Sequence, residues 1–148
     1  LLANGASKIY AVDVGYGQLD WKLRQDERVI VKEKTNARYL TDEIIKDPLD
    51  ALVCDVSFIS LKKVLPSGLG FLKSYGWLVA LIKPQFEVGK GLVGKGGVVR
   101  DPKLHEVVIN DITKWISFEI KMNLLGVIES PILGPSGNKE FLIVATKI

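Results

Sequence analysis

A single cysteine, Cys54, and a single histidine, His105, are spread over 148 residues. One cysteine excludes an internal disulfide framework. The two residues together fall short of the four Cys/His ligands of a structural zinc site, so no metal is expected. A Ser-His-Asp hydrolase would have to use His105, and no GxSxG elbow is present. Long apolar runs are missing as well. The longest are strand-length, such as GWLVALI at 76–82, against the ~20 residues of a helical membrane span. No signal peptide opens the chain, so nothing points to secretion and a cytoplasmic protein is expected. Neither sign of charge dominates. Twenty basic and 17 acidic side chains leave a net charge of +3, which permits an anionic partner without announcing one.

What is present suits an ordinary globular domain. Apolar residues make up 47% of the chain and charged residues 25%, enough of the first to close a core without staples. There is no internal repeat and no low-complexity tract, so residues 1–148 read as one domain. Apolar, β-branched runs alternate with helical patterns. Strands are expected at Ile9–Val14, Arg28–Lys32, Ala51–Val56 and Trp77–Ile82, and a final pair at Leu124–Ile128 and Phe141–Thr146. Helical patterns cover Tyr16–Arg24 and Phe58–Lys73, the latter interrupted at Pro66. Asp101-Pro102 offers an N-cap and an N1 proline. The segment after it places Leu104, Val107, Val108, Ile112, Trp115 and Ile116 on one helical face. Strands separated by helices imply an α/β fold, a doubly wound and mostly parallel sheet. The final strands have only a loop between them, so the last is expected to run antiparallel. Leu1–Ser7 reads as the end of a helix capped by Gly5, so the chain is expected to begin inside its domain, with the first strand upstream.

Ligands of such sheets bind beyond the carboxyl ends of the strands. Three residues stand there. Asp13 ends the first strand, where an acidic side chain can accept hydrogen bonds from ribose hydroxyls; it can equally cap a helix starting near Tyr16. Asp55 ends the third strand, in CDVSFIS, with Ser57 competing to cap the helix that follows. Lys83 ends the fourth, held extended by Pro84. A lysine at a strand mouth commonly snorkels to water, but a desolvated amine can act as a base. Glu140 opens the last strand, where a solvated end is the plain alternative. The stretch GKGLVGKGG at 89–97 fits GxxxxGK through Gly89, Gly94 and Lys95. Gly96 stands where a phosphate loop needs Ser or Thr, and no helix pattern follows, which argues against an NTPase. Lys90, Lys95 and Arg100 suit contacts to a phosphate backbone instead.

Five blocks carry a resemblance over essentially the whole chain: AVDVGYGQLDWKLR, KTNARYL, CDVSFISLKKVLP, ALIKPQFEVGKGLVGKGGVVRDPKLH and SPILGPSGNKEFL. They resemble the TlyA (hemolysin A) family of FtsJ-like ribosomal RNA methyltransferases. The resemblance implies a Rossmann-like methyltransferase fold, S-adenosylmethionine as cofactor, ribosomal RNA or a ribosomal subunit as partner, and methyl transfer to a ribose 2′-hydroxyl. It implies that Asp55, Lys83 and Glu140 are three members of a Lys-Asp-Lys-Glu catalytic set. It also implies that Asp13, Asn36, Ala37 and Asp55 serve the cofactor. The family's first lysine, its glycine-rich cofactor loop and its S4-like RNA-binding domain are expected upstream of residue 1. Two other classes compete: a non-catalytic RNA- or ribosome-binding module, and the lytic activity in the family's hemolysin name. The trio of site residues favours an enzyme. The lack of a membrane span and of a long cationic amphipathic helix disfavours lysis.

Overall fold

The GWLVALI run becomes the second half of the longest strand. β3 (Leu49–Cys54), β4 (Leu72–Ile82), β5 (Met122–Glu129) and β6 (Phe141–Lys147) form one sheet in the order β3-β4-β6-β5. β3 and β4 are parallel, and β6 runs antiparallel to both β4 and β5. Alternate residues drive the sheet into the core. Leu78, Ala80 and Ile82 of β4 and Ile143 and Ala145 of β6 are all fully buried. The computed structural model describes residues 1–148. They form two compact units, Leu1–Asp47 and Pro48–Ile148.

In the second unit, α2 (Leu61–Leu69) buries Leu61, Val64, Leu65, Gly68 and Leu69, an i, i+3, i+4, i+7, i+8 stripe. Pro66 lies inside this helix and does not end it, contrary to the interruption expected there. Burial of that stripe outweighs the lost backbone bond. The cap is Ser60, whose side chain accepts from Lys62 N, so neither Asp55 nor Ser57 is needed for that role. β4 starts at Leu72, five residues before the expected Trp77, and takes up the extra length with a residue of positive φ at Tyr75. α4 (Pro102–Lys114) begins as expected, with the Asp101 side chain accepting from Lys103 N and Pro102 in the first turn. Its buried face is His105, Val108 and Ile112, continued by Trp115 and Ile116 in a π-helical turn. Val107 is 61% exposed, a correction to the expected face: it lies off that stripe, and His105 takes its place in the core.

In the first unit, β1 (Ile9–Val12) and β2 (Val29–Lys32) pair in parallel. Before them, a short 3-10 turn ends at Gly5 in the left-handed region. The helix expected over Tyr16–Arg24 is only α1 (Trp21–Arg24), capped by Asp20. The reason is Gly17, whose positive φ and N–H bond to Glu33 Oε1 hold residues 15–18 in a turn. Glu33 also pairs with Arg24.

Candidate active site

Three of the residues singled out by sequence meet at one edge of the second unit. Asp55 follows β3, Lys83 follows β4 and Glu140 precedes β6. Because β6 is reversed, its start lies beside the ends of the parallel strands. The ladder closes with Ile82 opposite Phe141, so Lys83 and Glu140 are the next pair outward. Asp55, Lys83 and Glu140 all line one pocket of about 470 Å³, walled also by Val53, Leu81 and Leu142 and by Ile132 and Leu133 from the loop before β6.

Lys83 does not snorkel. The residue is 9% exposed. Its Nζ sits 2.7 Å from Asp55 Oδ1 and donates to Ser57 Oγ at 3.1 Å. The Asp55 side chain is 72% exposed. A nearly buried ammonium is therefore tied to a carboxylate that water still reaches. Pro84 opens the short helix α3 (Pro84–Glu87) and Lys83 stands at its N-cap in extended backbone, so the amine is delivered by a stiff chain exit. Glu140 is not a solvated strand end either, being 5% exposed. It makes no ion pair with Lys83. Its Oε1 accepts from Gln85 Nε2 at 3.0 Å, and its backbone oxygen accepts from Ser130 N at 2.8 Å.

Three residues that sequence reasoning passed over shape this edge. Gln85 holds Glu140. Glu87 accepts from Ser60 Oγ at 2.6 Å and from Leu61 N at 2.8 Å, fastening α3 to the start of α2. Burial pushes the Glu87 carboxyl above its ordinary value, against these two hydrogen bonds, which lower it. Asn138 accepts from Val99 N and donates to Gly97 O and Pro135 O. Their proximity to KPQFE and GNKE was the available signal, but a hydrogen-bond partner 39 or 55 residues away leaves none. Cys54 lines the same pocket. Burial first, and Asp55 second, push its thiol up to about 11, while Lys83 pulls it down.

Lys90 and Lys95 lie in two 3-10 turns and Arg100 just after them, all three exposed. The Arg100 guanidinium donates to Lys95 O at 3.2 Å. No helix starts on this segment before Pro102, so it lacks the form of a phosphate loop.

Asp13, Asn36 and Ala37 belong to the first unit. Asp13 follows β1 and is exposed. One carboxylate oxygen accepts from Gly15 N at 2.7 Å. It caps no helix, since α1 starts at Trp21. With Gly15, Gln18 and Glu33 it lines a recess of about 180 Å³. An exposed carboxylate beside such a recess has the acceptor chemistry that a ribose diol requires. Asn36 Oδ1 accepts from Arg38 N at 3.0 Å, starting the 3-10 turn Ala37–Tyr39. Its oxygen is thus engaged locally.

A sheet ordered β3-β4-β6-β5 with β6 reversed, and with a lysine and two carboxylates beyond the strand ends, defines a Rossmann-like methyltransferase fold. The N-methyltransferase NodS from Bradyrhizobium japonicum, solved with S-adenosylhomocysteine, shares this fold at a TM-score of 0.60 and 13% identity, over 99% of this chain and 69% of that one. The family model described as FtsJ-like methyltransferase matches residues 1–147, and the chain belongs to that family. It is 50% identical over 143 residues to the 16S/23S rRNA (cytidine-2′-O)-methyltransferase TlyA of Mycobacterium tuberculosis, covering 97% of this chain and 53% of the relative. A solved Lactococcus lactis protein bearing the name hemolysin superposes at a TM-score of 0.93 with 42% identity, over 99% of this chain and 70% of that one. The chain spans about half the length of the curated relatives it matches first.

Proposed function

We propose that residues 1–148 belong to a methyl-transfer domain whose donor is S-adenosylmethionine and whose acceptor is a ribose 2′-hydroxyl of ribosomal RNA. The observation that carries this reading is the Lys83 amine, nearly buried in a pocket that Glu140 shares and held 2.7 Å from Asp55. The 50% identity to a cytidine-2′-O-methyltransferase supports the choice of acceptor.

When bound, the cofactor supplies an electrophilic methyl group on a sulfonium. The chain's own residues do the rest. Asp13 accepts from the cofactor's ribose hydroxyls, and Asn36 and Ala37 meet its adenine. Asp55 anchors Lys83. The acceptor oxygen must stand in line with the methyl carbon at about 3 Å. A ribose hydroxyl is a poor nucleophile until its proton leaves. Lys83 is held by Asp55 and Ser57; once it has passed a proton through the exposed Asp55 carboxylate to water, its lone pair faces the hydroxyl. The hydroxyl proton passes to that lone pair, and with the cofactor bound the methyl would leave its sulfur, which keeps the electron pair, for the ribose oxygen. Glu140 tunes the amine through its charge across the pocket they share. Lys90, Lys95 and Arg100 meet the RNA phosphates. No step draws on a metal. A ribosomal RNA substrate supports the cytoplasm as the place of the reaction.

The direct test supplies methyl-labelled donor and purified ribosomal subunits, then maps the label by alkaline hydrolysis. A 2′-O-methyl group blocks cleavage at the next phosphodiester. Label on a base, or no transfer to either subunit, would overturn the reading.

A further inference from the structure

Glu140 is buried and yet faces no cation within ion-pairing distance. Its only side-chain donor is the Gln85 amide, 3.0 Å from Oε1. Gln85 is itself 8% exposed. Because its nitrogen faces a carboxylate, the orientation of the amide is settled: turning it over would set oxygen against oxygen. The other end of that amide, Oε1, is buried with no hydrogen-bond partner. An unsatisfied buried acceptor destabilises a fold. A methionine of the same length would remove the orphan, and an arginine or lysine would neutralise the glutamate. None of the three stands at position 85.

A second observation concerns the opposite side of the carboxylate. Gly134 packs so closely on Glu140 that a Cβ there would overlap Oε1. Its backbone, φ −76 and ψ −174, is open to any residue, so glycine is required by space and not by conformation. Gly134 is held in place by its N–H bond to Asn138 O at 2.8 Å. The Glu140 carboxylate is therefore clamped between an amide donor and a bare backbone. Glu140 lines the pocket and Gln85 does not.

We propose that Gln85 is a positioning residue. Its amide, opposed by Gly134, fixes the aim of the Glu140 carboxylate toward the Lys83 pocket without cancelling its charge. This rests on the methyl-transfer reading above. The uncharged donor explains the tolerated orphan acceptor: a site that needs a free carboxylate keeps it aimed at some expense of stability. Gln85 acts only through Glu140, so the two must be non-additive.

The test is a double-mutant cycle read by single-turnover methyl transfer at saturating cofactor and ribosomal subunits. Gln85→Met should lower the rate about 10- to 100-fold, with the KM for both substrates within about twofold of wild type. In the Glu140→Gln background it should do nothing further. Its melting temperature carries two opposed changes, the orphan acceptor removed and the Glu140 carboxylate left without its donor, so the rate at saturating substrates is the readout. Gly134→Ala pushes only the far end of a flexible side chain, and serves if Gln85→Met does not fold. It should give the same drop and the same non-additivity. A rate within twofold of wild type in both variants, or an equal loss with and without Glu140, overturns the proposal. If the wild type methylates no RNA, the methyl-transfer reading falls by itself. The side-chain amide resonances of Gln85 then decide: they should move on Glu140→Gln and on Gly134→Ala, and unmoved resonances overturn the clamp.

Discussion

The side-chain oxygen of Asn138 accepts the backbone N–H of Val99 at 3.0 Å, and so pins the glycine-rich segment to the loop before β6. His105 secures the other side of the same residue: its Nε2 lies 2.7 Å from Val99 O, with the ring packed on Phe141. Asn138 is 2% exposed and uses both ends of its amide. Asn138→Ala should leave Val99 N without a partner in the interior and take one donor from Gly97 O, while Pro135 O keeps the backbone N–H of residue 138. A loss of about 2 kcal/mol follows from the cost of a buried group left without its partner. Urea unfolding should show the midpoint falling with an unchanged slope. A loss under about 0.5 kcal/mol, the level of ordinary surface changes, would mean that the loop is held by other contacts.

Glu87 gives the second unit a pH dependence of known sign. Burial raises its carboxyl above the ordinary value near 4.5. The folded state therefore holds the proton more tightly than the unfolded state. Its contribution is fully present below the unfolded value and is lost as pH rises through the raised folded value. Glu87→Gln keeps an oxygen for Leu61 N, turns its NH2 to the Ser60 hydroxyl as a donor, and removes the titration. Melting curves from pH 4 upward should show the wild type losing ground to Glu87→Gln across that window and holding a constant gap above it. A gap that shrinks with rising pH contradicts the assigned cause.

Cys54 tests the electrostatics of the pocket without any substrate. With its thiol at about 11, the thiolate fraction near pH 8 is far below that of a free cysteine, with a pKa near 8.5. Alkylation by iodoacetamide should be slower than for free cysteine by a factor on the order of 100. Asp55→Ala should speed it and Lys83→Ala should slow it, because those two charges act on the thiol in opposite directions. The reverse order of rates would mean that the Lys83–Asp55 pair is not formed in solution.

Much of this was legible in the residues, and the exceptions share a cause. The strands announced themselves because a buried strand must be apolar, and β6 reversed as the bare loop between the last two runs implied. Asp101 and Pro102 start α4 where local chemistry placed them. The helix over Tyr16–Arg24 shrank because Glu33, distant in sequence, binds Gly17 N. Asp55 and Lys83 were visible as polar residues at strand ends. Their pairing followed from parallel strands, which a sequence can suggest. The Gln85–Glu140 bond was not visible. It depends on the side-chain reach of two elements 55 residues apart, and no periodicity encodes that.

The decisive prediction for the reaction concerns Lys83. Lys83→Ala should lower single-turnover methylation of ribosomal RNA by about 10²- to 10⁴-fold, the usual worth of a positioned proton-handling group. Cofactor binding should hardly change, because the residues proposed to carry the ribose and adenine, Asp13 and Asn36, are elsewhere in the chain. The fold should survive, since the Asp55 carboxylate left behind is largely exposed and needs no replacement partner. Lys83→Arg should not rescue well: a guanidinium keeps its proton, and its planar fork does not match the tetrahedral reach of an ammonium. Lys95→Ala is the control. Lys95 is exposed in the glycine-rich segment, so its loss should weaken RNA binding and flatten the salt dependence while leaving the rate at saturating RNA intact. If Lys83→Ala methylates at the wild-type rate under saturating conditions, Lys83 is a structural lysine that serves only to hold Asp55, and the proton must leave by another route.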